Sequence, residues 1–145
     1  MAQKVQSFEN HAKTVPAFHF FVLPVLFLNF VSSIVRVVRA PSYWTVVSLL
    51  VAIALVLLAL CARMFAMTVQ DRVIRLEMQL RLQQLLPPDL RARIPEFTVN
   101  QLVSLRFASD AELPDLARKV LDEKLNDRKA IKKLIRTWQP DYLRA

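Results

Sequence analysis

The chain contains no glycine and only one cysteine among its 145 residues. Without glycine, neither a glycine-rich phosphate-binding loop nor a close helix crossing of the GxxxG type can form. A lone Cys61 excludes an internal disulfide and any CxxC redox or metal site. Asp, Glu, Lys and Arg are all missing from positions 14–35 and 40–62. These absences remove several classes of site and leave two long uncharged runs as the main feature of the sequence.

The two uncharged runs predict a pair of membrane-spanning helices, since about 20 apolar residues suffice to cross a bilayer. The first span is predicted at 15–38, with a kink near Pro24 because proline removes a backbone hydrogen bond. A turn at 39–41 follows, and the second span is predicted at 42–63. The fold class is therefore an all-α membrane protein built on a two-helix transmembrane hairpin, with the lipid bilayer as its first partner.

The second span has no stop signal at its far end. No proline occurs between it and Pro87, so one helix can cover 42–86, which is about 67 Å at 1.5 Å per residue. Its part at 64–86 is predicted to extend into the cytoplasm with a heptad-like pattern. Residues 87–145 then form a small module of three or four short helices, and residues 1–14 form a polar N-terminal segment. The candidate cap residues of the module are Thr98 with Gln101, Ser109 with Glu112, and Asn126 or Asp127.

The distribution of Lys and Arg predicts the orientation, because cytoplasmic loops near membrane spans are enriched in these residues. The side with the chain termini has Lys4, Lys13, Arg63, Arg72, Arg75 and Arg81, whereas the turn has Arg36 and Arg39. Both termini are therefore expected in the cytoplasm. The formal net charge is +8, and half of it lies after residue 63, where acidic residues are interleaved.

The long second helix repeats small or aliphatic residues at spacings of three and four. Within the apolar run the repeat contains small residues, which allow helices to pack closely, and Asn29 of the first span could hydrogen-bond across to it. Beyond the run the residues become aliphatic, as a water-exposed coiled coil requires. The candidate span-packing residues are Asn29, Ser48, Ala52, Ala59 and Ala62. The candidate assembly residues are Val69, Val73, Leu76 and Leu80.

Two readings of the aliphatic stripe remain open and equally supported. A second copy could pair with it, in which case Arg72 and Glu77 occupy the g and e positions that interact across parallel helices. Alternatively, the tail helices fold back and cover it, which the additional apolar residues Ile74, Met78, Leu82 and Leu85 favour because they widen the stripe.

Other candidate sites are weaker. His19 and Cys61 are expected at similar depth, but without an orienting third group a histidine near the interface and a buried thiol explain them.

The last helix has a basic face of Arg128, Lys129, Lys132, Lys133 and Arg136. Such a face is usually only solvated, could bind anionic lipid headgroups, and is least suited to nucleic acid because acidic residues are interleaved. No catalytic, cofactor or metal site is predicted.

Several stretches resemble an uncharacterised family of small bacterial two-span membrane proteins, a domain of unknown function. The resembling stretches are NHAKTVPAFHF, VQDRVIRLE, LRFASDAELPDLARKVLDEKL and DRKAIKKLIRTWQPDYLRA. The resemblance implies a bacterial inner-membrane protein and brings no activity, cofactor or site residue.

These observations predict a non-enzymatic, membrane-anchored scaffold or accessory subunit that binds a protein partner, either a second copy or a larger membrane complex. The alternative function is a membrane-tethered module that binds anionic lipid or nucleic acid through the basic face of the last helix.

Overall fold

The computed structural model describes Phe8 and residues 14–141, and in this part of the chain the regular structure is helical without strands. The all-α prediction is confirmed for these residues, whereas most of the predicted segment 1–14 lies outside them. The α-helices are α1 (Leu23–Arg39), α2 (Tyr43–Leu85), α3 (Pro88–Arg91), α4 (Val99–Leu105), α5 (Leu113–Asp122) and α6 (Arg128–Lys133). A π-helical turn at Ala17–Val22 precedes α1, and a 3-10 turn at Ile94–Glu96 follows α3.

Apart from Phe8, the described residues divide at Met67 into two compact units. The N-terminal unit, residues 14–67, contains the π turn, α1 and the first part of α2. The C-terminal unit, residues 68–141, contains the rest of α2 and all later helices. The helix α2 is common to both.

The apolar helix of the first run begins with the π turn, in which the Leu23 N–H donates to the Phe18 carbonyl five residues earlier. Pro24 follows at once and lies in the first turn of α1. A proline ring crowds the carbonyl four residues before it, and a wider turn at that point relieves the crowding. The π turn therefore lies directly before Pro24, near which the sequence predicts a kink.

The connection between the two long helices lies at residues 40–42, one residue later than predicted. Ala40, which precedes Pro41, leaves the helical region at φ −144° and ψ 77°, as a residue before proline tends to do. Ser42 and Thr45 then exchange hydrogen bonds: the Ser42 N–H donates to Thr45 Oγ1 at 2.9 Å, and the Thr45 N–H donates to Ser42 Oγ at 3.2 Å. This reciprocal pair satisfies two backbone donors at the start of α2.

Helix α2 is a single helix of 43 residues, Tyr43–Leu85, against the predicted 42–86. It and the helix at Ala17–Arg39 are both long and apolar enough to cross a membrane. Only 6% of the apolar stretch of each helix is buried inside the protein.

The core of the C-terminal unit forms where the tail folds back onto one face of α2. That face, the inner face, consists of Ile74, Met78, Leu82 and Leu86, all buried. Two further groups of buried residues complete the core. From α3 to α4 these are Leu90, Ile94, Phe97, Leu102, Val103 and Leu105, and from the later chain Ala108, Leu113, Leu116, Ala117, Val120, Leu121 and Ile131. A continuous apolar core thus joins the module to the long helix.

The predicted caps of the short helices are formed in two of three cases. Thr98 and Gln101 form a complete capping box, and the buried Gln101 amide also donates to the Leu125 carbonyl at 2.9 Å. Asp127 caps α6 by accepting from the Ala130 N–H at 2.8 Å. The prediction that Ser109 and Glu112 form a capping box at the start of a helix is wrong, because α5 begins only at Leu113. The Glu112 side chain accepts from the Ser109 N–H at 3.4 Å within the preceding turn.

Helix α5 ends in a left-handed residue although the chain has no glycine for this position. Lys124 has φ 50°; its N–H donates to Leu121, and the Leu125 N–H donates to Val120. These two bonds are the Schellman pattern, which normally uses glycine because a Cβ disfavours the left-handed region.

The last helix is shorter than the sequence suggests. The spacing of Ala130, Ile131, Leu134, Ile135 and Trp138 predicts one helical face. This prediction is wrong beyond Ile131, because α6 ends at Lys133. The chain after it pairs with the segment after α4 instead: the Gln139 N–H donates to the Phe107 carbonyl at 2.7 Å. The Trp138 ring stacks on the Phe107 ring with centroids 4.5 Å apart. These tertiary contacts replace the helical hydrogen bonds of that segment.

Candidate protein-binding face

The four aliphatic residues of the predicted assembly stripe form an exposed row on α2, here called the outer seam. Val69, Val73, Leu76 and Leu80 are 60%, 47%, 63% and 61% exposed. At 100° per residue they fall within one narrow stripe of the helix. Large aliphatic side chains in a continuous exposed row on a charged unit are a candidate interaction surface.

The tail helices cover the inner face, which lies about 180° around the helix from the outer seam. Of the two open readings of the sequence, the structure shows the fold-back, whereas pairing with a second copy stays a prediction. Fold-back occurs, as the width of the apolar stripe suggested, but it uses Ile74, Met78 and Leu82 and leaves the outer seam uncovered. Two opposite apolar faces of one helix explain why the stripe looked too wide for a simple coiled coil.

Charged residues flank the outer seam on both sides. Arg72 precedes Val73 on one side, and Glu77 follows Leu76 on the other, and both are exposed. The remaining flanking residues in this register, Gln70, Gln79 and Gln84, are uncharged. The surroundings of the seam therefore combine an apolar centre with polar borders, as binding interfaces do.

Arg81 fixes the tail against α2. Its Nε donates to Asp110 at 2.8 Å, its Nη1 to the Arg106 carbonyl at 3.2 Å, and its Nη2 to the Ala108 carbonyl at 2.6 Å. Its Nη2 also donates to Gln139 Oε1 at 2.9 Å. One guanidinium thus binds both the segment at 106–110 and Gln139 of the segment that pairs with it. These bonds fix how the module packs on the inner face.

Besides Arg81–Asp110 and the more buried Arg106–Asp141 at 3.1 Å, three arginine–aspartate pairs join parts of the C-terminal unit that are distant in sequence: Arg93–Asp122 at 2.8 Å, Arg118–Asp89 at 2.8 Å and Arg128–Asp71 at 3.2 Å. The hydrogen bond from Arg118 is the main reason that the pKa of Asp89 is lowered. The pKa of Arg93 is raised, mainly by its bond to Asp122 and then by Glu96. Because these groups are at least partly exposed, their contribution to stability is small and screened by salt.

The predicted basic face is largely engaged within the C-terminal unit. Arg128 pairs with Asp71, and the Lys132 ammonium lies 5.2 Å from the centre of the buried Phe107 ring. Lys133 and Arg136 line a cleft together with the basic Lys119 and the acidic Glu112 and Asp115, and Lys129 is exposed. Arg136 lies beyond the end of α6. The five residues therefore do not all lie on one helix.

The predicted span-packing residues occupy different environments in the N-terminal unit. Ala52 is buried, Ser48 and Ala59 are half-buried, and Asn29 and Ala62 are exposed. Asn29 and Ser48 line one cleft, to which Arg36 and Trp44 also contribute. The sequence analysis did not identify Ser33, which is buried and accepts a hydrogen bond from Arg36 at 3.0 Å.

His19 and Cys61 stand in ordinary surroundings. The His19 ring interacts with the Val15 backbone at 2.9 Å from the carbonyl oxygen and makes an edge contact with Phe18. Cys61 is half-buried and not in a disulfide. Within residues 8 and 14–141, no group of three or more His, Cys, Asp or Glu side chains could hold a metal ion.

An all-helical chain with two long apolar helices and a folded-back charged unit is the class that this structure defines. The whole chain, residues 1–145, matches a family described as a family of unknown function, DUF6526, and the chain belongs to that family. The predicted resemblance to an uncharacterised family is thereby confirmed. No curated protein and no solved structure matches the chain.

Two features of the site were missed by sequence reasoning. Arg81 was counted only as a charge near the membrane, although it holds the tail against α2. Phe107 and Trp138 are separated by 31 positions and have no helical spacing that would link them, so only the fold reveals their stacking. The division of the apolar stripe into two faces could have been found by comparing residue angles around α2.

Proposed function

We propose that this protein is a non-enzymatic, membrane-anchored scaffold or accessory subunit whose outer seam binds a helix of a protein partner. The observation that carries the proposal is the exposed seam beside a covered inner face. A surface stripe of four valine and leucine residues has an unfavourable hydration free energy, and pairing with an apolar helix would remove that cost.

The anchoring part of the proposal rests on the two apolar helices. Their side chains are mostly exposed, as Phe20, Phe27, Leu50 and Leu58 illustrate. Hydrocarbon is the environment in which such helices are stable, because their backbone hydrogen bonds are satisfied internally and their side chains gain from contact with lipid. The connection at residues 40–42 is short, so a hairpin returns the chain to the side that it left.

The proposed location is the bacterial inner membrane with both termini in the cytoplasm, because more Lys and Arg residues flank the spans on the side of the termini. In a Cys61→Ala background, an impermeant thiol reagent added to intact cells with a permeabilised outer membrane should label Ser42→Cys. It should label Lys129→Cys only after the inner membrane is opened. Labelling of Lys129→Cys in intact cells would mean that the C-terminal unit lies on the outer side of the membrane, opposite to the proposed orientation.

The alternative function, binding of anionic lipid or nucleic acid, receives less support from the geometry. Four of the five basic residues contact an acidic side chain, share a cleft with acidic side chains or lie against an aromatic ring. Positive charge that is partly offset by acidic neighbours attracts phosphate less strongly, so the outer seam is the better candidate for recognition.

Replacing Val73 and Leu76 together with aspartate should abolish the assembly that the outer seam mediates. Each substitution puts a charge in the centre of the binding stripe, where desolvating it without a partner is costly. Crosslinking in membranes, followed by native mass measurement in mild detergent, should detect larger species with the parent protein and only the protomer with the variant.

Two controls accompany this experiment. Arg75→Asp places the same charge on α2 away from the outer seam and should leave the larger species intact. All three proteins should remain in the membrane fraction after an alkaline carbonate wash, since the apolar helices are unchanged. If the double variant keeps every larger species, the outer seam is not the binding site; if carbonate releases the protein, it is not anchored by spanning helices.

A further inference from the structure

The outer seam has the geometry of one half of a parallel, two-stranded coiled coil. Its residues alternate at spacings of four and three, so Val73 and Leu80 take heptad position a, and Val69 and Leu76 take position d. We propose that the partner at this face is a second copy of the same chain, paired in parallel and in register. This inference rests on the proposed function, because it names the partner of the same site.

The flanking charges fit a second copy. In this register Arg72 is at a g position and Glu77 is at the following e position, five residues later. In a parallel pair, a g residue of one helix approaches the next e residue of the other helix. Arg72 of each copy therefore meets Glu77 of the other, and the two-fold symmetry makes this pair twice.

The other flanking positions create no conflict. The next g and e residues, Gln79 and Gln84, are uncharged, and so is Gln70 at the preceding e position. Like charges that face each other would disfavour self-pairing, and in this register none face each other along the stripe. An antiparallel pair would align g with g and e with e, and it would lose the reciprocal Arg72–Glu77 contacts.

The folded-back module leaves room for a second copy. Ile74, Met78 and Leu82 occupy heptad positions b, f and c, which point away from the partner in a coiled coil. The tail helices pack on these residues and on Leu86, so they cover the side of α2 opposite to the outer seam. Two copies can therefore join along their seams while each keeps its own module.

Membrane anchoring, as proposed above, also favours the parallel arrangement. Copies inserted with the same orientation send α2 out of the bilayer in the same direction. The seam spans only about 17 Å from Val69 to Leu80 at 1.5 Å per residue. So short a coiled coil is weak by itself, and confinement of both copies to one bilayer supplies the local concentration that it needs.

Single cysteines in the full-length protein test the arrangement, since a Cys61→Ala chain has no other thiol. Val69→Cys and Leu76→Cys should each form a disulfide-linked dimer in membranes treated with a copper oxidant, which accepts the two thiol electrons. Arg75→Cys, exposed at position c, is the matched control and should link at least about fivefold less. Absence of linked dimer at both seam positions, or equal linkage at Arg75→Cys, would overturn the inference.

Charge reversal gives a second measurement that leaves the exposed seam residues unchanged. Arg72→Glu and Glu77→Arg should each weaken the dimer by about two- to fivefold for each ion pair lost. The combined variant restores opposite charges and should recover the parent level. Failure to recover would contradict a parallel self-pair.

The results separate this inference from the proposed function. If no self-linkage occurs but the Val73→Asp, Leu76→Asp variant loses a larger species, the seam binds a different protein, and only the inference fails. If that variant loses nothing, both fail.

Discussion

Replacing Leu82 with alanine is expected to lower the free energy of unfolding of the C-terminal unit by about 3 kcal/mol, within the range for buried leucines. Leu82 is 0% exposed and lies at the centre of the inner face, beneath the tail helices. The substitution removes buried methyl groups and leaves a cavity that the surrounding side chains fill only in part. Chemical denaturation in detergent, followed by the fluorescence of Trp138 in a Trp44→Phe background, would measure the loss.

Leu80 provides the matched control for this experiment. It is the same residue type, two positions earlier on the same helix, and is 61% exposed. Leu80→Ala should change the free energy of unfolding of the monomeric protein by less than about 0.5 kcal/mol. Equal losses for the two substitutions would mean that the tail does not pack on the inner face as described.

Replacing Arg81 with alanine is expected to cost about 3 kcal/mol of stability, because hydrogen bonds from a charged group contribute more than neutral ones. The substitution removes the donors to Asp110, to Gln139 and to two backbone carbonyls. One of these carbonyls belongs to Ala108, which is fully buried and would lose this charged donor. Denaturation curves, together with faster backbone hydrogen exchange at residues 107–109, would report the loss.

Arg81→Lys should recover only part of the stability, since an ammonium group lacks the planar geometry that serves several acceptors at once. Arg75→Ala is the control on the same helix, because Arg75 is exposed, and its effect should stay within about 0.5 kcal/mol. If Arg81→Lys were as stable as the parent, a point charge would suffice and the multiple hydrogen bonds would not matter.

The long helices could be predicted because their causes lie in the local sequence. An uncharged run, the absence of proline between Pro41 and Pro87, and the bias of Ala40 before proline define α2 almost to the residue. The Thr98 box and the Asp127 cap were likewise predictable, since each joins residues three positions apart.

The end of the chain could not be predicted in the same way. Leu134, Ile135 and Trp138 have helical spacing, but the backbone after Lys133 pairs with the segment around Phe107. A competing partner 30 positions away is invisible to local periodicity, and its hydrogen bonds decide the conformation. The same limit explains why the basic face was expected on a single helix, whereas Arg136 lies beyond it.

The sequence by itself determined the all-helical class, the two long apolar helices and the spacing of the apolar residues along α2, because periodicity and proline placement act over a few residues. Only the tertiary structure decided which apolar face of α2 is used within the chain. The tail packs on Ile74, Met78 and Leu82, where the donors of Arg81 meet the Arg106 and Ala108 carbonyls. Val69, Val73, Leu76 and Leu80 remain exposed on the opposite side, because one fold-back can cover only one side of a helix.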